Sequence, residues 1–160
     1  MENLLRRINS SSRAKLGLKI ISHGASIAVA LAFVIEISYL FYIGDMIAAI
    51  TAMAFAAVGY AAVTVFRALL DAPRPYELYG FYEIPPKNKK GRSFPSRHAY
   101  SAFVIATLAL YVHPIAAAVL YALGAAIALS RILLGIHFIR DILAGAILGV
   151  IAGAMVAIFV

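Results

Sequence analysis

The sequence predicts an all-α integral membrane helical bundle of about five transmembrane helices, with its polar residues gathered at one membrane face. Three observations predict it. Apolar residues make up 64 % of the 160-residue chain, and the mean hydropathy is +0.93, too apolar for a soluble domain of this size. The apolar residues also come in runs long enough to cross a bilayer as helices, which satisfy their own backbone groups. The basic residues flank these runs instead of interrupting them. A net charge of +7 would suggest nucleic acid in a soluble protein; placed beside membrane spans, it points to anionic lipid and not to nucleic acid. There is no cysteine and hence no disulfide framework. No zinc-type ligand cluster and no paired-carboxylate motif stands in the sequence, so neither metal nor cofactor is expected.

Taken in order, residues 1–19 place Arg6, Arg7, Arg13, Lys15 and Lys19 among Leu4, Leu5, Ile8 and Leu16, the pattern of an amphipathic segment on a membrane surface. The apolar run that follows is too long for a signal peptide and lacks a convincing cleavage site. A first span is expected from about Ile20 to Ile43, with Glu36 inside it. An intramembrane carboxylate is either functional or simply protonated near an interface. Gly44-Asp45 makes a turn. A second span runs from about Met46 to Leu70, ending in Arg67 and Asp71 at i,i+4, the spacing of a local ion pair. Ala72-Pro73-Arg74-Pro75 stops that helix. Residues 76–95 form a long polar-aromatic connection with Tyr76, Tyr79, Phe81, Tyr82, Pro85 and Pro86, then Lys87, Lys89, Lys90 and Arg92. This composition suits either a lipid-headgroup surface or an ordinary solvated loop.

A third, short span is expected from His98 to about Val112, a turn at His113-Pro114, a fourth span from about Ile115 to Leu134, and a fifth from about Ile139 to Val160. His23 and His113 are given no chemistry. Gly145, Gly149 and Gly153 repeat every four residues, a small-residue stripe for close helix packing and a candidate face for a homo-oligomer. The whole chain reads as one membrane-embedded domain, 1–160, with the basic segment 1–19 and two active-site loops, 71–97 and 131–140. A five-span count puts the amino terminus and both loops on one side, together with all fourteen Lys and Arg. The positive-inside rule assigns that side to the cytoplasm.

Three stretches on this side carry chemistry. His137 and Asp141 are spaced i,i+4 and share a helix face. A carboxylate on one imidazole nitrogen fixes the tautomer and frees the other to attack; the same spacing also fits a structural pair at a helix start. Arg131 suits a tetrahedral oxyanion. Ser96 is a good N-cap for a helix beginning at Arg97 or His98, and the amides of such a terminus bind phosphate. Arg67 and Arg74 add two further cations.

Read together, these blocks resemble the type-2 phosphatidic acid phosphatase superfamily, which includes lipid phosphate phosphatases, bacterial acid phosphatases and vanadium haloperoxidases. The family pattern is Lys, six residues, Arg-Pro; then Pro-Ser-Gly-His; then Ser-Arg, five residues, His, three residues, Asp. This chain has Arg67, six residues, Arg74-Pro75; then Pro95-Ser96-Arg97-His98; then Ser130-Arg131, five residues, His137, three residues, Asp141. Order and spacing agree over residues 67–141. It departs twice: Arg67 replaces lysine and Arg97 replaces glycine. The resemblance implies hydrolysis of a phosphoester through a phosphohistidine. His137 would be the nucleophile, Asp141 its orienting partner and His98 the general acid and base. Arg67, Arg74, Ser96, Arg97 and Arg131 would hold the phosphate oxygens. The implied substrate is a phosphorylated lipid: phosphatidic acid, phosphatidylglycerol phosphate, or a polyprenyl phosphate or diphosphate. Haloperoxidase relatives are larger and not built as membrane spans. A non-catalytic lipid-binding or transport protein on the same fold is the alternative from another class.

Overall fold

A computed structural model describes residues 2–80 and 91–159. Seven α-helices lie among the described residues: α1 (Glu2–Ser10), α2 (Ser12–Tyr42), α3 (Met46–Leu70), α4 (Pro75–Tyr79), α5 (Arg97–Val112), α6 (Pro114–Leu133) and α7 (Ile139–Met155), followed by a 3₁₀ turn at Val156–Ile158. The aromatic and lysine-rich stretch with Phe81, Tyr82, Pro85, Pro86, Lys87, Lys89 and Lys90 lies outside the described residues.

Four helical segments among the described residues are long and apolar enough to cross a membrane; they contain α2, α3, α6 and α7. Their outward faces carry Ile27, Leu31 and Ile35 on α2, Val58 and Val65 on α3, and Ile147 and Ile151 on α7, all exposed. Lipid can cover such faces, whereas water would not tolerate them together. The fifth expected span is α5. Its 16 residues rise only about 24 Å, and it is shielded by protein instead of lipid. It packs most extensively on α7 and α6, and also touches α2 and α3. Tyr100, Val104, Ala106 and Ala109 of α5 are buried in the main core.

The glycine stripe of α7 explains how α5 fits there. A methyl group built at Gly149 would stand 2.5 Å from the carbonyl oxygen of Tyr100, and one at Gly153 would stand 2.6 Å from Cβ of Thr107. Gly145, Gly149 and Gly153 are all buried. The stripe is therefore filled by α5 of the same chain, which corrects the expectation that it offers a homo-oligomer face. Gly59 plays the same part on α3: its missing side chain makes room for the Tyr100 ring, whose hydroxyl donates to the Phe55 carbonyl at 2.9 Å.

The start of the first span differs from expectation. The first long helix begins at Ser12, eight residues before Ile20, because Ser11 caps it by accepting the Ala14 amide. Lys15 and Lys19 sit on its first turns, and hydropathy alone cannot register a helix that starts among charges. The basic segment before it folds as a separate short helix. Leu5 of α1 is buried. Asn9 donates to the Leu133 carbonyl at 3.0 Å, and Arg6 donates to the Tyr79 carbonyl at 2.6 Å. Thus α1 is fastened to the ends of α4 and α6.

The α5–α7 contact gives a stability prediction. Gly149→Val should lower the unfolding midpoint in detergent by an amount equivalent to about 1–3 kcal/mol or more. Gly17→Val, at an open position of α2 with nothing within 4 Å, should shift it by about 0.5 kcal/mol or less. Equal midpoints for the two variants would contradict this packing.

Candidate active site

The site is assembled where α3, α5 and α7 meet the connecting segments 71–74, 91–96 and 134–138. Each connection is held by an arginine whose donors go to backbone carbonyls. Arg67, in the last turn of α3, donates from Nη1 to the Pro95 carbonyl at 2.8 Å and, longer, to the Ser93 carbonyl at 3.5 Å. Arg74 donates from Nε to the Gly91 carbonyl at 3.0 Å and from Nη1 to the Ile136 carbonyl at 3.3 Å. The expected Arg67–Asp71 ion pair does not form. Asp71 closes α3 in a left-handed conformation, with its amide bonded to the Arg67 carbonyl, and its carboxylate approaches Arg92 at 4.0 Å.

Carboxylates fix the helix starts. Glu77, third residue of α4, accepts the Arg74 amide at 3.2 Å and the Gly91 amide at 2.7 Å. Asp141, third residue of α7, accepts the Phe138 amide at 2.9 Å. Both reach back to the residue before the helix, one half of a capping box. Between α6 and α7 the chain turns at Gly135, whose φ of +66° suits glycine. Its carbonyl accepts the Tyr76 amide at 3.1 Å, which draws α4 against the turn that carries His137.

His137 and Asp141 are buried together, 3 % and 0 % exposed, with Nδ1 and Oδ2 3.5 Å apart. Ser93 completes the arrangement: its Oγ lies 2.5 Å from Asp141 Oδ2 and 3.3 Å from His137 Nδ1. The short contact to a carboxylate requires the Ser93 hydroxyl to donate there, because an ionised carboxylate only accepts. Ser93 Oγ can then accept from Nδ1–H, and so can Asp141. Both partners stand at Nδ1, so the proton resides there and Nε2 keeps its lone pair. Burial pushes the His137 imidazole down to about 4, against the raising effect of its hydrogen bond to Asp141, with Arg74 and Arg67 adding to the depression. At neutral pH His137 is an uncharged, oriented imidazole. Arg140 Nε stands 3.6 Å from Asp141 Oδ1.

His98, in the first turn of α5, faces outward from the core. Arg131, His137, Arg97 and Arg67 all lie within its electrostatic range. Arg67 in turn senses Arg97, Arg74 and Asp141, and Arg131 senses Arg74. Arg131 Nε is buried without a hydrogen-bond partner among the described residues. The structure therefore brings His98, His137, Asp141, Arg67, Arg74, Arg97 and Arg131 to one place. Ser96 takes a different part. Its Oγ accepts the Ala99 amide at 3.4 Å and its own amide donates to the Asp141 carbonyl at 2.9 Å. It caps α5 and fastens it to α7, which leaves its amide engaged and corrects the expectation that this amide meets an anion. Glu36 stays outside the site. It is buried, its two oxygens lack partners among the described residues, and it faces a small cavity bounded by Leu108, Tyr111 and Val156 at the other end of the bundle.

Residues 45–160 match the PAP2 superfamily. The chain belongs to the PAP2 superfamily. Its fold is that of a transmembrane PAP2 protein. LpxE of Aquifex aeolicus superposes with a TM-score of 0.73 at 22 % identity, over 98 % of this chain and 94 % of that one. The first transmembrane PAP2 type phosphatidylglycerolphosphate phosphatase of Bacillus subtilis superposes with a TM-score of 0.73 at 20 % identity, over 99 % of this chain and 83 % of that one. At these identities the likeness speaks for the fold alone. Among curated proteins none matches in sequence. The chain is thus a membrane PAP2 phosphatase with the family's blocks folded into one site.

Ser93 and Glu77 were not singled out in the sequence. Ser93 lies three residues before Ser96, in a loop that reads as connection, and only the fold places it beside Asp141. Ser93→Ala should leave the protein folded and KM nearly unchanged while lowering kcat by roughly tenfold to a hundredfold, since the imidazole loses one of its two restraints. Steady-state phosphate release measures this, and an unchanged kcat would remove Ser93 from the site's function.

Proposed function

We propose that the chain hydrolyses a phosphate monoester or diphosphate of a membrane lipid through a phosphohistidine on His137. The observation that carries this reading is the buried Ser93–Asp141–His137 linkage, which presents a neutral Nε2 to a group of arginines. Anion binding alone would need the arginines but not an oriented nucleophile, which weighs against a lipid-binding or transport role.

In the first step Nε2 attacks phosphorus in line with the leaving oxygen. Phosphoryl transfer depends on positioning and on stabilising charge over the equatorial oxygens. Arg67, Arg74 and Arg131 supply that charge, and the buried Nε of Arg131 is a donor for a phosphate oxygen. As His137 gains positive charge, Asp141 offsets it. His98 gives its proton to the leaving alkoxide, then takes one from the water that attacks the phosphohistidine, which releases phosphate and restores both histidines. The substrate class is an amphiphile whose tail stays in lipid: phosphatidic acid, phosphatidylglycerol phosphate, or a polyprenyl phosphate or diphosphate. Among the described residues, the basic side chains of α1, of the start of α2, of the end of α3 and of the site's connecting segments stand at the site's end of the bundle, which supports a cytoplasmic active face and contacts with anionic lipid.

Purified protein in detergent should release phosphate from a panel of these lipids in the presence of EDTA. Vanadate should inhibit the release, and His137→Ala should abolish it while still binding the lipid. Turnover that survives in His137→Ala would defeat the phosphohistidine. The pH profile is a separate test. Below its pKa His137 is an imidazolium without a lone pair, so the rate falls as pH drops through about 4, not through the ordinary histidine value near 6.5. An acid limb of kcat/KM near 4 is expected; an acid limb near 6.5 would mean that burial does not set the charge of His137.

A further inference from the structure

Arg97 is the cation that the phosphate chemistry above does not account for. It stands beside His98 in the chain, yet its guanidinium lies over the ring of Tyr60, 5.6 Å from the centroid. No carboxylate pairs with it among the described residues, and it makes no hydrogen bond to them. It lines a cavity of about 170 Å³ between α2, α3, α5 and α6, together with His98, Tyr60, Ser26 and Ser101. The cavity has room for several waters or one compact polar group. It is small for a drug-sized ligand.

We propose that this cavity is a leaving-group subsite, in which Arg97 on its Tyr60 platform binds a second phosphoryl group joined directly to the one that is cleaved. The proposal rests on the phosphatase reading and names the substrate class within it: a lipid diphosphate. His98 is the group that protonates the leaving oxygen, and it also lines the cavity, so the cavity continues from the leaving-group side of the reaction. Arg97 and His98 are adjacent residues in the first turn of α5, and both line the cavity. Guanidinium bonds phosphate oxygens in a fork and stacks on an aromatic ring at the same time; the Ser101 hydroxyl adds a polar group, Ser26 gives its proton to the Ser22 carbonyl, and Val29, Ala102 and Ile127 complete the lining. Arg67 and Arg74, by contrast, spend donors on loop carbonyls.

In the reaction His137 Nε2 forms a bond to the terminal phosphorus, and the bond from that phosphorus to the bridging oxygen breaks. The bridging oxygen takes the His98 proton and leaves as part of the lipid monophosphate, whose phosphoryl group Arg97 holds. Water then hydrolyses the phosphohistidine. A lipid monophosphate fills only the catalytic half of the site.

The test compares a C15 prenyl diphosphate with the C15 prenyl monophosphate, using the full chain in detergent. Arg97→Gly should lower kcat/KM for the diphosphate by roughly 10- to 100-fold, mainly through KM, and for the monophosphate by less than about threefold. Arg97→Lys should recover part of the loss, and Tyr60→Leu should reproduce it more weakly. Equal losses on both substrates, or none on either, would overturn the subsite. So would a selective loss on phosphatidylglycerol phosphate, whose second phosphate is a glycerol away. If the wild-type protein releases phosphate from neither prenyl substrate, the phosphatase reading fails for this class, and binding decides the subsite separately. Calorimetry with a prenyl methylenebisphosphonate and a prenyl phosphonate should show a preference for the former that Arg97→Gly removes; a preference unchanged in the variant would overturn it.

Discussion

The carboxylate of Asp141 is the point on which the site depends. It is fully buried in the first turn of α7, where it accepts the Phe138 amide and the Ser93 hydroxyl and lies beside His137 Nδ1. Its own backbone carbonyl accepts the Ser96 amide, so the residue that orients His137 also fixes the start of the helix that carries His98. A buried charge of this kind is costly unless several groups compensate it. Here the compensation comes from the neighbouring Phe138 amide and His137 and from Ser93, 48 residues earlier in the chain. Through its carboxylate and its backbone carbonyl, Asp141 therefore ties together the imidazole, the 91–96 loop and the α5 cap.

The cations around it make the opposite demand. Four arginines and two histidines converge around Asp141, with Glu77 as a second carboxylate beside Arg74. Guanidiniums close together repel, and burial makes the repulsion worse. The chain lessens this by turning Arg67 and Arg74 onto carbonyl oxygens, by stacking Arg97 on Tyr60 and by keeping His137 neutral. What remains, including the unpaired Nε of Arg131, is an excess of positive charge best relieved by a multiply charged anion. The site is preorganised for an anion in the sense that assembling it has already brought the cations together.

Much of this was legible in the sequence, for physical reasons that also mark where legibility ended. Long apolar runs report spans because lipid permits little else, and the i,i+4 spacing of His137 and Asp141 reports a shared face because helix geometry is fixed. Arg67, Arg74, Arg97, His98 and Arg131 sit in motifs whose internal spacing reflects one ligand. Ser93, Glu77 and Asn9 were not legible. Each acts through a contact with a segment distant in sequence or beyond the end of its own helix, and no local pattern distinguishes a serine that touches Asp141 from one in an ordinary loop. Spacing misled in two places. Arg67 and Asp71 have ion-pair spacing, but Asp71 leaves the helical conformation. The glycines of α7 have an oligomer-like stripe, but α5 of the same chain occupies it.

The departure at position 67 follows from the membrane setting. Non-helical backbone at the edge of a bilayer needs partners for its carbonyls, because lipid supplies none. The segments 91–96 and 134–138 are such backbone, and their carbonyls at Gly91, Ser93, Pro95 and Ile136 are taken by Arg67 and Arg74. A lysine at position 67 offers three donors on one atom. An arginine offers five across a planar fork, so one edge can hold a loop while the other faces the anion. The same side chain then satisfies the loop backbone with one edge and keeps donors on the other. The segments that carry Ser93 and His137 are thus fixed by the same two arginines that stand within electrostatic range of His137.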